Sequence, residues 1–312
     1  MQSDNNKVIS RFAPSPSGRM HAGNIFAFLV SWLLTKAQNG EVVLRIEDLD
    51  SERSKSLFST QIQKDLETLG LTWDRGPYFQ HDRHEVYASY YHKLEEKGLV
   101  YPCFCTRADL HAASAPQSGE KRVYAGTCRN LSETERLKRA QERRPAMRLI
   151  VPYKNICIDD EIQGRYCENL ETDCGDFVIR RANGDFAYQL AVTIDDAEEH
   201  INYIVRGVDL LSSSPEQAYI QSLFEFPSVH YAHVPLLLGP DGHRLSKRHQ
   251  DASLEEMLGR YKRPEGIIGH LAYLSGLIPE NCETSAEELT HYLRYEDILK
   301  ALKNKLSISW NA

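Results

Sequence analysis

Apolar positions along this chain come in short runs set apart by glycine, proline and charge. "KVISRFAP" is a short run that reads as a strand entering a loop. "NIFAFLVSWLLTKAQNG" is apolar almost all round and predicts a buried helix closed by Gly40. "EVVLRIEDLD" reads as a strand running into an acidic loop. "SKSLFSTQIQKDLETLG" has the spacing of an amphipathic helix, again closed by a glycine. The order strand–turn–helix–strand–loop–helix in the first third predicts an α/β fold with a parallel sheet and helices packed on it. Further on, "HDRHEVYASYYHKLEEKGLVY" predicts a helix. "DFVIRRANGDFAYQLAV" has the signal of a hairpin turning at Asn183-Gly184. "HINYIVRGVDLL" is a strand heading into a polar loop, and "HVPLLLGPDGHRLSKRH" is a strand, a Pro-Asp-Gly turn and a basic loop. From there the pattern is helical to the end, and no repeat or low-complexity segment interrupts it.

Composition narrows the class. Of the 312 residues, 41% are apolar and 26% charged, enough for a real core. The start, "MQSDNNKVISRF", lacks the apolar stretch of a signal peptide. The most apolar run, Ile25 to Leu34, is shorter than the ~20 residues a bilayer span needs. The expectation is a soluble cytoplasmic protein with no membrane partner, taken as a monomer by default. The net charge of −7 does not advertise a nucleic-acid binder. Yet Lys121 to Arg148 holds nine Lys/Arg against three Glu. That stretch is either a solvated helix, "LSETERLKRAQERR", or a footprint for a polyanion. Seven cysteines, an odd count in a long chain, do not make a secreted disulfide framework, so reduced thiols are expected, some of them available to metal. Residues 103 to about 175 hold six of the seven together with the basic stretch, and read as an inserted unit.

Two stretches carry chemistry. "FAPSPSGRMHAGN" is a glycine-rich turn between a strand and a helix, where backbone N–H groups and the helix start favour phosphate. Gly18 and Gly23 suit such a turn, and His21 stands where it could stabilise charge on a phosphate; a turn chosen only for its geometry is the alternative. "RLSKR", Arg244 to Arg248, is a basic loop after a strand, of the kind that closes over a triphosphate or else is simply solvated.

Together the two are more specific. "MHAGN" resembles the HIGH signature of class I aminoacyl-tRNA synthetases, and "RLSKR" resembles their KMSKS signature. "RFAPSPSGRMHAGN", "LRIEDLD", "FAYQLAVTIDD" and "IVRGVDLL" look like the glutamyl branch of that class, in the family's order, from Arg11 to Arg248. The resemblance implies a Rossmann-type parallel-sheet catalytic domain with an insertion that receives tRNA. It implies that Arg11, Ala13, Ser15, Glu47, Tyr188 and Arg206 contact L-glutamate, with Arg11 a carboxylate clamp and Glu47 on the substrate ammonium. It also implies that Gly18, His21, Gly23, Asn24 and Lys247 bind ATP, which is used with Mg2+, and that His21, Asn24 and Lys247 serve catalysis. Asn24 replaces the second signature histidine, and Arg244 the first signature lysine.

Longer members of the branch continue into a large helical anticodon-binding part, whereas 64 residues follow Arg248 here. The resemblance is therefore to the truncated glutamyl-Q tRNA(Asp) synthetases, which activate glutamate without tRNA and attach it to the queuosine base of aspartate tRNA. "CFC" and "YAGTC" resemble that family's zinc site, which implies one structural Zn2+ on Cys103, Cys105, Tyr124 and Cys128. Cys157, Cys167, Cys174 and Cys282 are left as buried or inert thiols. The expected division is a first catalytic half over 1–102, a zinc-containing insertion over 103–175, and a second catalytic half over 176–240. The signature loop and a helical stem-contact-like region follow over 241–312, with no anticodon-binding domain. The alternatives are an enzyme charging a tRNA 3′ end and an inactive tRNA-binding paralogue.

Overall fold

A computed structural model describes residues 7–50, 54, 56–106, 109, 123–243, 245 and 253–310. The first third runs β1 (Ile9–Phe12), α1 (Ala22–Lys36), β2 (Glu41–Ile46), α2 (Ser56–Thr68), β3 (Arg75–Phe79) and α3 (His84–Glu96). The middle holds β4 (Val100–Cys103), α4 (Glu133–Glu142), β5 (Ala146–Leu149), β6 (Asn155–Asp160), β7 (Gly164–Asn169), α5 (Leu170–Asp173) and β8 (Phe177–Arg180). The rest is α6 (Tyr188–Glu198), β9 (Tyr203–Gly207), α7 (Ser214–Leu223), β10 (His230–Val234), β11 (Leu236–Leu238), α8 (Leu254–Tyr261), α9 (Pro264–Ser275), α10 (Ala286–Thr290), α11 (Tyr295–Leu302) and β12 (Ser307–Ser309).

The fold is mixed α/β with a parallel sheet, as the alternating pattern predicts. Strands β1, β2 and β3 pair in parallel, as do β9 and β10. The two groups meet where Asn202 N–H donates to Ile9 O (3.0 Å) and Ile9 N–H donates to Asn202 Oδ1 (2.8 Å). Strand β6 meets β10 in parallel at Tyr231–Asp160 and forms an antiparallel hairpin with β7. The chain therefore leaves β1 toward β3 on one side and runs through β9 and β10 on the other. A crevice forms outside the carboxyl ends of strands at such a reversal.

Helix α1 is apolar all round because it is covered on both sides. It packs on β1 and β9 and also meets α10 and α11, and Ile25, Leu29, Val30, Leu33 and Leu34 are fully buried. Gly40 is needed where the chain turns back: a Cβ there would lie 2.6 Å from Val8 O. A second, antiparallel sheet of β4, β5 and β8 carries its own small core around Tyr101, Cys103, Tyr124 and Cys128 on one side. No described helix is long and apolar enough to cross a membrane.

Three expectations need correction. The turn at Asn183-Gly184 forms, with Gly184 at φ 104°, but the returning arm makes only one bridge, Arg180–Phe186, before α6 begins. Burial of Leu190, Ala191 and Ile194 at helical spacing outweighs the strand-like alternation there. The tail is not helical to its end, because β12 pairs in parallel with β11. Cys157 and Cys167 are not separate thiols. They lie directly opposite on β6 and β7, 4.1 Å apart at Cα, and form a disulfide. Cys174 and Cys282 form none. The basic stretch does contain the solvated helix: α4 buries no residue and is capped by Ser132, whose Oγ accepts from Glu135 N–H.

Candidate active site

The carboxyl ends of β1, β2, β9 and β10 converge on a cavity of about 680 Å³. Arg11, Ala13, Ser15, Gly18, His21, Gly23, Asn24, Glu47, Tyr188 and Arg206 all line it. These residues come from four separated stretches, so their meeting is a product of the sheet order. Lys247 lies outside the described residues, with Arg244, Ser246 and Arg248. Within that loop Leu245 is described and lines the cavity, and beyond it Ser253 bridges His21 in antiparallel fashion.

The turn after β1 is tied down locally. Glu47 N–H donates to Pro14 O (2.9 Å), which fastens it to the loop after β2. His21 is the N-cap of α1, with extended backbone, and Asn24 Oδ1 accepts from its N–H at 3.4 Å. Asn24 thus holds the helix start as well as lining the cavity. Gly23 makes room for the imidazole: a Cβ there would come within 3.2 Å of His21 Cε1. The open helix start and the cavity together make an anion-favouring wall.

The cavity floor is ionic and buried. Arg11 Nε donates to Asp196 Oδ1 (3.2 Å) and its Nη1 to Val205 O (3.3 Å). Beneath it, Arg45 is fully buried and donates to Glu199 Oε2 and Asp196 Oδ1, both at 2.7 Å, and to Glu47 Oε1 at 3.5 Å. Asp195 receives Gln80 Nε2 (2.7 Å), Arg83 Nε (2.7 Å) and Tyr87 OH (2.9 Å). Burial works against the Asp196 carboxylate, but Arg45 and Arg11 outweigh it and hold it below the ordinary aspartate value. For Glu47 burial wins over both arginines and pushes the carboxyl up to about 7.

Arg206 is held by a different set. Its Nε donates to His233 Nε2 (3.0 Å) and its Nη2 to Ser214 Oγ (2.9 Å) and Leu210 O (3.4 Å). Its Nη1 is buried and has no hydrogen-bond partner. An unpaired, buried guanidinium nitrogen beside a cavity is a ready site for a carboxylate.

Sequence reasoning missed the residues behind this wall: Arg45, Asp195, Asp196 and Glu199, and Asp160, His233 and Ser214. The available signal was the adjacent Asp195-Asp196 in the quoted stretch "FAYQLAVTIDD", with Arg45 in "LRIEDLD", since buried carboxylates need cationic partners.

Away from the cavity, the Cys103, Cys105 and Cys128 Sγ atoms all lie within 4.8 Å of one another, and Cys105 and Cys128 are 3.6 Å apart. Tyr124 Oη is 3.4 Å from Cys103 Sγ and 3.8 Å from Cys105 Sγ. Thiolates ~2.3 Å from a tetrahedral ion stand about 3.8 Å from one another, so three sulfurs at this spacing fit a metal ion. Burial raises the Cys103 thiol, but contacts with Tyr124 and Arg148 outweigh it and hold it below the ordinary value. Arg148 stacks 3.6 Å from the Tyr124 ring centroid and is buried, so it is withdrawn from the exposed basic surface.

The family described as "tRNA synthetases class I (E and Q), catalytic domain" matches residues 7–303. The chain belongs to that family, and it is an ATP-dependent ligase of the class I aminoacyl-tRNA synthetase type. Within the family it is similar to the glutamyl-Q tRNA(Asp) synthetase of Symbiobacterium thermophilum, 42% identical over 90% of this chain and 91% of that protein. It is also similar to the glutamyl-Q tRNA(Asp) synthetase of Nitratidesulfovibrio vulgaris, 42% identical over 88% of each. A glutamate–tRNA ligase of Coxiella burnetii is 38% identical over 94% of this chain but only 65% of the ligase. The glutamate tRNA ligase from Elizabethkingia meningosepticum, solved in complex with its amino acid, superposes with a TM-score of 0.81 at 26% identity, over 98% of this chain and 68% of that one.

Proposed function

We propose that this chain activates L-glutamate with ATP, without needing tRNA, and transfers the glutamate from glutamyl-adenylate to the queuosine base in the anticodon loop of tRNA(Asp). The observation that carries the reading is the cavity floor. Two buried arginines, one with an unpaired nitrogen, share it with the Glu47 carboxylate. That is the complement of a small molecule with two carboxylates and one ammonium. Similarity to glutamyl-Q tRNA(Asp) synthetases over about nine-tenths of both chains supports the transfer step.

In this reading Arg206 and Arg11 meet the substrate carboxylates, Glu47 pairs with its ammonium, and Ala13, Ser15 and Tyr188 complete the pocket. The α-carboxylate attacks the α-phosphorus of ATP, and the bond to pyrophosphate breaks. His21, Asn24 and the start of α1 line the phosphate side with Gly18 and Gly23, and Lys247 adds positive charge there. No side-chain nucleophile is required, because positioning and electrostatics lower the barrier. Mg2+ arriving with ATP supplies further neutralisation of phosphate charge. The queuosine base then displaces AMP from the adenylate. Exposed Lys138, Arg143 and Arg144 on and just after α4 offer phosphate contacts to the tRNA. Cys103, Cys105, Cys128 and Tyr124 hold one structural Zn2+. The enzyme works as a monomer in the cytoplasm, where its tRNA is found.

ATP–pyrophosphate exchange with L-glutamate and no tRNA tests the first step, with aspartate and glutamine as controls. Glutamate-specific exchange is expected. Exchange that appears only on adding tRNA would favour an enzyme that charges a 3′ end, and none under either condition would favour a binding protein. Transfer is tested with labelled glutamate on tRNA(Asp) with and without queuosine. Label on the queuosine-containing tRNA that survives removal of the 3′-terminal nucleoside is expected.

A further inference from the structure

We infer that Asp160 and His233 are positioning residues for substrate recognition: they lock the Arg206 guanidinium by one edge so that its remaining nitrogen is held for a substrate carboxylate. The inference rests on the proposed role of Arg206 and adds to it residues that sit behind the cavity wall.

The geometry forms a directed chain. Arg206 and His233 are register partners on the parallel strands β9 and β10, so their side chains stand side by side. A guanidinium only donates, so its Nε–H, 3.0 Å from His233 Nε2, requires that Nε2 be the accepting nitrogen. The ring proton then sits on Nδ1, where it donates to Asp160 Oδ2 at 2.6 Å. Asp160 also takes the His233 backbone N–H, and its Oδ1 caps the turn after β6 through Ile162 N–H (3.0 Å) and Gln163 N–H (2.8 Å). The carboxylate is therefore rigid, and it selects one imidazole tautomer as a metal-ligand or triad carboxylate does. His233 and Asp160 are both buried, at 0% and 5% exposure. Burial, with the nearby Arg206 charge, holds His233 below its ordinary value despite Asp160, so the ring stays neutral and keeps its acceptor. Protonation or the other tautomer would aim an N–H at the Arg206 Nε–H. Ser214 Oγ and Leu210 O take Nη2, which leaves Nη1. A long arginine side chain fixed before the substrate arrives does not lose its rotamer freedom on binding, and this lowers the cost of recognition.

The test is glutamate-dependent ATP–pyrophosphate exchange by the full chain carrying His233→Asn or His233→Gln, each checked by thermal melting. The shorter amide keeps a donor near Asp160 but withdraws the acceptor from Arg206, whereas the longer one can present its carbonyl oxygen to Arg206. With the Arg206 Nε–H left unpaired, KM for glutamate is expected to rise about tenfold or more in His233→Asn, with KM for ATP within about twofold. His233→Gln is expected to recover most of the loss. An unchanged KM for glutamate overturns the inference, as does an equal rise for glutamate and ATP. Failure of both variants to fold would make the pair a purely structural element and overturn it too. Absence of glutamate-dependent exchange in the unsubstituted protein would instead defeat the reading of Arg206 on which the inference rests.

Discussion

Arg45 is the residue on which the ionic floor of the cavity depends, and Arg45→Met is the perturbation that isolates it. The side chain is fully buried, and it lies 2.7 Å from Asp196 and Glu199, 3.5 Å from Glu47 and 3.8 Å from Asp195. Among the described residues the other cations in ion-pair contact with the group are Arg11, on Asp196, and Arg83, on Asp195, while Arg206 acts on Asp196 from farther away. Methionine preserves length and burial but leaves four buried carboxylates facing two arginines. Removing one partner of a buried ion pair costs about 3–5 kcal/mol, a large part of the 5–15 kcal/mol that holds a domain together. At about 2–4 °C per kcal/mol, the value for large domains, Tm should fall by roughly 6–20 °C. The pH dependence gives a second check. Arg45 is the strongest influence lowering Glu47, Asp196 and Glu199, so all three rise in the variant. A carboxyl whose folded value lies above its unfolded value takes up a proton on folding. Its stabilising contribution is present at low pH and is lost as pH rises through the folded value. The gap in Tm between the two proteins should therefore widen from pH 6 to pH 8, as read by differential scanning calorimetry. A fall of less than about 2 °C, or a gap larger at pH 6 than at pH 8, would refute the reasoning.

Three further outcomes are expected. Lys247→Ala should lower glutamate-dependent pyrophosphate exchange by about a hundredfold or more, because it removes charge stabilisation, with Tm measured alongside as the control for folding. Since Glu47 sits at about 7 and must be ionised to pair with an ammonium, kcat/KM for glutamate should fall as pH drops below 7, by up to about tenfold per pH unit; Glu47→Gln should flatten that limb while lowering the plateau. Metal analysis of the purified protein should find one zinc per chain, lost in Cys128→Ser. Chelation should lower Tm while tRNA-independent exchange persists below the melting range, because none of Cys103, Cys105, Tyr124 and Cys128 lines the cavity.

Much of this architecture was legible along the chain. The apolar run of α1, the strands around it and the glycine turns are local features, set by neighbours within a few residues, and periodicity reports them directly. The arm after Asn183-Gly184 was not legible, because its alternation of apolar and polar residues suits a strand, and only packing of Leu190 and Ile194 made it a helix. The disulfide was missed for a similar reason. Residues ten apart become partners only when the hairpin register sets Cys157 opposite Cys167. Motif resemblance points to the candidate site residues without any geometry, but it does not point to their supports. Arg45 meets Asp196 across 151 positions, and Asp160 meets His233 across 73.

The sequence by itself therefore determined the elements of the first third, their order and the motif side chains proposed for the site, since these are written in local pattern and in short motifs. Tertiary structure alone decided which nitrogen of Arg206 is left unpaired, how far burial pushes the Glu47 carboxyl up, and which carboxylates pair with Arg11 and Arg45. Those properties depend on burial and on partners far away in the chain, and a one-dimensional pattern carries neither distance nor dielectric.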